Sequence, residues 1–117
     1  MNMIQLKYDE LKKEIDSRGG EESLEKTIGK YSYQGYIGSY IWKTISEYNR
    51  QLHPQCEDCG SMFHLQVHHS SYKNLGLEIY HPEDLRVLCS KCHALITFLQ
   101  NIDRKMCVQW ERKYNRM

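Results

Sequence analysis

The sequence predicts an α+β fold that is mostly helical and contains one short β-hairpin. Three observations carry that expectation. Apolar residues recur at helical spacing through most of the chain. One stretch, Phe63 to His68, alternates apolar and polar residues with the period of a strand. Four of the five cysteines form two CxxC pairs, Cys56/Cys59 and Cys89/Cys92, with that stretch between them. A chain of 117 residues has the length of one domain. A lone hairpin buries too little apolar area to be stable, so helices must pack over it.

The elements follow in order. Residues 3–17 place Ile4, Tyr8, Leu11 and Ile15 on one helical stripe, and Arg18-Gly19-Gly20 breaks it. A second helix is expected from Glu22 to Lys30, and a third from Ile37 to Gln51. The third has Ile41, Ile45 and Tyr48 on one face, with Trp42 beside them as a core residue. His53-Pro54 ends it and leads into the first CxxC, a knuckle closing at Gly60. Phe63, Leu65 and Val67 then alternate with His64, Gln66 and His68 as a strand. Ser70 to Pro82 reads as a long polar loop, and Leu85, Val87 and Leu88 as a second strand leading into Cys89. From Ser90 a helix is expected with Leu95, Phe98, Leu99 and Ile102 toward the core and His93, Ile96, Thr97 and Gln100 on another face. Asp103 to Met117 forms a last helix with Met106, Trp110 and Tyr114 in a stripe. Residues 1–35 thus make a helical extension, 36–97 a central core and 98–117 a basic helix, all in one compact domain.

Sixteen basic residues nearly cancel fifteen acidic ones, for a net charge of +1. That balance excludes a strongly basic coat, so contact with nucleic acid must come from a local patch. Residues 1–28 carry five basic and seven acidic side chains, whereas residues 94–117 carry five basic and two acidic. Arg104 and Lys105 on the last helix, with Lys73, Arg86 and Lys91, are the candidate phosphate contacts. No apolar run reaches the ~18 residues of a membrane span. Lysines and acids occupy the N-terminus where a signal peptide needs an apolar stretch. A cytoplasmic protein with no membrane contact is expected.

In a reducing compartment, paired CxxC motifs read as metal ligands rather than disulfides. Cys56, Cys59, Cys89 and Cys92 can supply four thiolates at about 2.3 Å to one tetrahedral Zn²⁺. Cys107 is left over as a small helix residue. Between and beside the pairs lie His68 and His69 at a strand end, Asp84 at the start of the second strand, and His93 directly after Cys92. Stapling two strands and a helix together gathers these four around one cleft. Such a set suits phosphodiester hydrolysis. Imidazole, with an ordinary pKa of about 6.5, can take a proton from water near neutral pH. A divalent cation such as Mg²⁺ can neutralise charge developing on the phosphate and leaving oxygen. The closed four-thiolate site has no open position for that work, so a second ion is implied.

These residues resemble the HNH (ββα-metal or His-Me finger) endonucleases, in the subgroup with a four-cysteine zinc site. The lead-in Tyr36-Ile37-Gly38-Ser39-Tyr40-Ile41-Trp42 and the knuckle Cys56-Glu57-Asp58-Cys59-Gly60 carry it. So do Val67-His68-His69 with Tyr72, Gly76 and Glu78, then Asp84-Leu85, Leu88-Cys89 and Cys92-His93. The resemblance spans Tyr36 to Thr97 and implies a ββα-metal core. It implies His69 as the general base, His68 and His93 as ligands of the catalytic divalent ion, and Asp84 as a catalytic-site residue that in some members assists the metal. Asp84 stands where the motif has asparagine, which ties the loop and holds the base; an aspartate accepts but cannot donate as an amide does. Glu78 and Tyr72 are implied as loop braces. The implied substrate is DNA, cut or nicked, with a homo-oligomer or a partner protein adding grip that a net charge of +1 does not supply. The alternative on the same fold is a non-catalytic zinc module that binds nucleic acid or protein.

Overall fold

The computed structural model describes residues 2–100 and 102–114, with side chains for all of these except 99, 100 and 102–104. Helix α1 spans Met3–Ser17, started by Asn2, whose side chain accepts from the Gln5 N–H at 2.8 Å. Helix α2 (Gly20–Ile28) begins and ends two residues before its expected bounds, because positive φ values at Gly19 and Gly20 compress the turn. The single helix expected from Ile37 is two. Helix α3 (Tyr33–Ile37) stops at Gly38, and α4 (Tyr40–Leu52) restarts behind Ser39. Ser39 causes the break: its hydroxyl accepts from the Trp42 N–H at 3.3 Å and donates to the Tyr36 carbonyl at 2.6 Å.

Strand β1 (Leu65–His69) pairs antiparallel with β2 (Leu85–Cys89), Val67 opposite Val87 and His68 opposite Arg86. The strand starts later than the alternation suggested, because His64 turns the chain with φ of 53°. A 3₁₀ turn at Pro82–Asp84 leads into β2. The open edge of β2 is covered by the first knuckle. The Glu57 N–H donates to the Val87 carbonyl at 2.9 Å, and the Val87 N–H donates back to Glu57 Oε2 at 2.5 Å.

Helix α5 (Ser90–Gln100) follows β2 directly and meets α6 (Ile102–Tyr114). The core-facing side predicted for α5 is reversed. Leu95 and Phe98 are 58% and 83% exposed, while Ile96 packs against Leu88, Cys56 and Cys89. Clustering of Cys92 with the other sulfurs turns that face of the helix inward, whatever its outer residues. Leu99 and Ile102 lie outside the described side chains.

The segment 70–82 is not the polar loop its composition suggested. Leu75, Leu77 and Ile79 are buried in the main core with Leu11, Ile15, Ile28, Ile45 and Trp110. The helices clasp its backbone. Tyr8 Oη donates to the Ile79 carbonyl at 3.2 Å and Tyr114 Oη to the Leu75 carbonyl at 2.5 Å. Tyr80 Oη donates to Asp16 on α1, and His81 Nε2 lies 2.7 Å from Glu21 on α2. Among the described residues no helix is long and apolar enough to cross a membrane.

Gly76 sits at the tightest point, with φ of +84° and an added Cβ only 2.1 Å from Ile28 Cδ1. Gly76→Ala is expected to cost about 2 kcal/mol or more in chemical denaturation, and a loss below about 0.5 kcal/mol would contradict this packing. The His81 contact makes a pH prediction. Its hydrogen bond to Glu21 raises its pKa, burial opposes that, and Glu83 adds to the rise. The folded pKa therefore exceeds the unfolded one. The contribution is full below about pH 6.5 and is lost as pH rises through the folded value. The Tm gap between wild type and His81→Gln should be widest near pH 5.5 and close toward pH 8; a gap that widens with pH would contradict the contact.

Candidate functional site

The first knuckle folds because the Gly60 N–H reaches back to the Cys56 carbonyl at 2.9 Å, with Gly60 at a positive φ of 79°. The Cys59 N–H lies 3.5 Å from Cys56 Sγ, and the Cys92 N–H lies 3.5 Å from Cys89 Sγ. These matched amide-to-sulfur contacts aim both pairs at one point. The sulfurs of Cys56, Cys59, Cys89 and Cys92 all lie within 4.8 Å of one another, and Cys59 and Cys89 are 3.6 Å apart. A tetrahedral thiolate shell with 2.3 Å bonds has edges of about 3.8 Å, so the cluster can hold a metal ion.

Electrostatics agree. Burial opposes ionisation of Cys56, but backbone amides of Cys59, Cys89 and Asp58 outweigh it and bring its pKa to about 6. Cys92 is pushed up instead, by hydrogen bonding to Cys89, Cys59 and Cys56. Four adjacent thiols cannot all ionise without a cation among them. Among the described residues this is the one set of three or more histidine, cysteine or acidic side chains placed to share an ion.

Beside the cluster, strand alternation points His68 and His69 in different directions. His68 faces α5, where its ring lies 5.4 Å from that of His93 at 67°. His93 Nδ1 is 2.6 Å from Gln66 Oε1, a contact that orients the ring. His68 Nδ1 is enclosed and has no hydrogen-bond partner. Burial, then the nearby His93, His69 and Arg86, lowers the His68 pKa to about 4, so its imidazole is neutral at pH 7.

His69 faces the other way and lies under Trp42, ring centroids 5.0 Å apart and 15° from parallel. Its Nε2 is 2.7 Å from Glu78 Oε2, in a contact where the side chains are 7% and 1% exposed. Glu78 also accepts from the Tyr36 hydroxyl at 2.5 Å and from the Gly76 N–H at 3.0 Å.

The four residues expected around one cleft, His68, His69, Asp84 and His93, make different contacts in the structure. The structure brings His68 and His93 together. It seats His69 on Glu78, and it uses Asp84 as a tie. The Asp84 carboxylate accepts from Asn74 Nδ2 at 2.8 Å, and its carbonyl accepts from the Ser70 N–H at 2.8 Å and from Ser70 Oγ at 3.0 Å. An aspartate suffices there because the partner of its carboxylate, Asn74 Nδ2, donates.

Of the candidate phosphate contacts, Arg86 is committed to the knuckle, 2.6 Å from Asp58 and 3.9 Å from Glu57. Lys73, Lys91 and Lys105 are exposed. The side chain of Arg104 lies outside the described residues. The depth of Glu78 and its partnership with Tyr36 escaped sequence reasoning. The signal was a carboxylate set between Leu77 and Ile79, in a run whose apolar neighbours are all buried.

Comparison with known proteins adds no relative: no family model matches the chain, and neither a curated protein nor a solved structure matches it. Metal analysis of the purified protein tests the cluster directly. About one tightly held transition-metal ion per chain is expected, lost with the hairpin's ordered structure in Cys89→Ser or after strong chelation. A metal-free protein of unchanged stability would contradict the assignment.

Proposed function

We propose that this chain is a metal-dependent endonuclease of the HNH type that hydrolyses DNA phosphodiester bonds, nicking among them, with zinc on the four cysteines as a structural ion. The observation that carries the reading is the approach of His68 and His93 beside the cysteine cluster, with His68 Nδ1 buried and unpartnered. A buried imidazole nitrogen without a partner is costly, and a cation is the partner it fits. Two imidazoles brought together from different elements, His68 on β1 and His93 on α5, are the pair that would hold such an ion. A divalent ion such as Mg²⁺ there would neutralise charge on the scissile phosphate and the leaving oxygen.

His69 is the base in this reading. It stands next to His68 at the strand end, close enough that its charge disfavours charge on His68. DNA as the substrate, and the HNH assignment itself, rest on the sequence resemblance between Tyr36 and Thr97. Lys91 and Lys73 are left to meet phosphates, while Arg86 braces the knuckle. With a net charge of +1, a homo-oligomer or a partner protein supplies the remaining grip on DNA. The burial of His69 against Glu78 favours a second reading, a non-catalytic zinc module that binds nucleic acid or protein.

Cleavage of supercoiled plasmid with Mg²⁺, Mn²⁺ or EDTA separates the two. Wild type should nick or cut only with a divalent cation. His93→Ala should abolish that cation-dependent cleavage while Tm and zinc content stay unchanged. His69→Ala should slow cleavage by about 10²–10⁴-fold. Folded, zinc-loaded wild type that leaves plasmid intact with every cation would overturn the endonuclease reading.

A further inference from the structure

The chain has two phenylalanines, Phe63 and Phe98, and neither enters the core. Tyrosine, tryptophan and aliphatic side chains fill that core, while the two phenylalanines are 75% and 83% exposed. A phenyl ring has no polar atom to hold it in water, so each exposure forgoes burial that would stabilise the fold.

Their positions are related. Two hollows lie against helix α5, and Ser90 lines both. One is walled by Ser61, Phe63, His64 and Lys91, beside the cysteine cluster. The other is walled by Gln66, His93, Thr97 and Phe98. Joined at Ser90, they make one open groove with a phenylalanine in each part and His93 between Ser90 and Phe98. The rise along α5 from Ser90 to Phe98 is about 12 Å, room for about three stacked bases at about 3.4 Å each.

The lining decides the ligand. Hydroxyls, an amide, imidazoles and one lysine stand between the two rings, unlike the continuous apolar centre of a protein interface. Phosphate contact alone gives little grip, because the net charge is +1 and Arg86 is committed to Asp58. Four thiolates on one Zn²⁺ would leave about −2 beside the first hollow, offset in part by Lys91. That end therefore suits a neutral ring better than a phosphate. Bases are neutral, and every base offers a face that stacks on an aromatic side chain. In a duplex those faces are covered by the neighbouring base pairs. An unpaired strand presents them.

We infer that the groove holds an unpaired DNA strand, with Phe63 and Phe98 as stacking platforms and Lys91 on a phosphate. The substrate class that follows, single-stranded or locally opened DNA, rests on the endonuclease reading, whereas the binding preference stands apart from it. Both phenylalanines bind the strand and take no part in bond breaking.

Fluorescence anisotropy of the full-length, zinc-loaded protein without added Mg²⁺ tests this. The probes are labelled oligothymidylate, oligouridylate, a mixed-sequence DNA duplex and an abasic deoxyribose-phosphate strand, all of equal length. Oligothymidylate should bind at least about tenfold more tightly than the duplex or the abasic strand. Phe63→Ala and Phe98→Ala should each weaken oligothymidylate binding by about fivefold or more, with duplex affinity, Tm and zinc content unchanged. Phe98→Tyr, which keeps a stacking ring, should bind as wild type does. A duplex or abasic strand bound as tightly as oligothymidylate overturns the inference, as do alanine variants of normal affinity. Alanine variants that lose only self-association in ultracentrifugation overturn it too, and make the rings a protein contact. Tighter binding of oligouridylate overturns DNA as the strand. An unpaired strand bound with the expected pattern but cut with no cation upholds the groove and sinks the endonuclease reading. Plasmid cleavage without any preference for unpaired strands sinks the groove and spares that reading.

Discussion

A single buried carboxylate organises the molecule. Glu78 is 1% exposed, and burying a charge costs several kcal/mol unless hydrogen bonds replace its water. Its donors come from three separate places: Tyr36 on α3, His69 at the end of β1, and the Gly76 N–H in its own segment. Each is positioned by further packing. The Tyr36 ring stacks on Trp110 of α6 at 4.9 Å, and Gly76 takes a positive φ against Ile28 of α2. Losing any one donor strands part of a buried charge, so helices, hairpin and segment 70–82 are held in one register. The same register decides the site. With His69 fixed on Glu78, strand alternation leaves His68 facing α5 and His93.

The cysteine cluster is the second constraint, and it acts on a different part of the chain. It ties the knuckle after α4 to the start of α5, around a small core of Cys56, Leu88 and Cys89 packed by Leu65, Cys92 and Ile96. The knuckle also closes the β2 edge through Glu57. The partly exposed Arg86–Asp58 pair adds little, since such pairs are worth about 0–1 kcal/mol. It does commit the Arg86 guanidinium to the knuckle.

Legibility followed the kind of signal. The α1 stripe, the CxxC pairs and the alternation around Val67 depend on local periodicity and spacing, and the structure has a helix, a sulfur cluster and a hairpin there. The 70–82 segment was misread because its polar residues dominate by count, while Leu75, Leu77 and Ile79 do the packing. Helix α5 was misread because its inward face is set by where Cys92 must point, a tertiary demand that overrides an apolar stripe. The break at Ser39 turned on one hydroxyl competing with helix hydrogen bonds. Within the site, adjacency in sequence does not tell which partner each histidine meets, because adjacent strand residues diverge. Only the structure pairs His68 with His93 and His69 with Glu78.

Under the proposed function, His68 and His93 share a divalent cation. Titrating the zinc-loaded protein with Mn²⁺ while recording its histidine ring signals tests it most directly, since the paramagnetic ion broadens nearby protons. The account predicts that the His68 and His93 rings broaden first, before the rings of His53, His64 and His81, and that Mg²⁺ competes the effect away. Broadening centred on surface carboxylates such as Asp58 or Glu83, with the two rings unaffected, would contradict it.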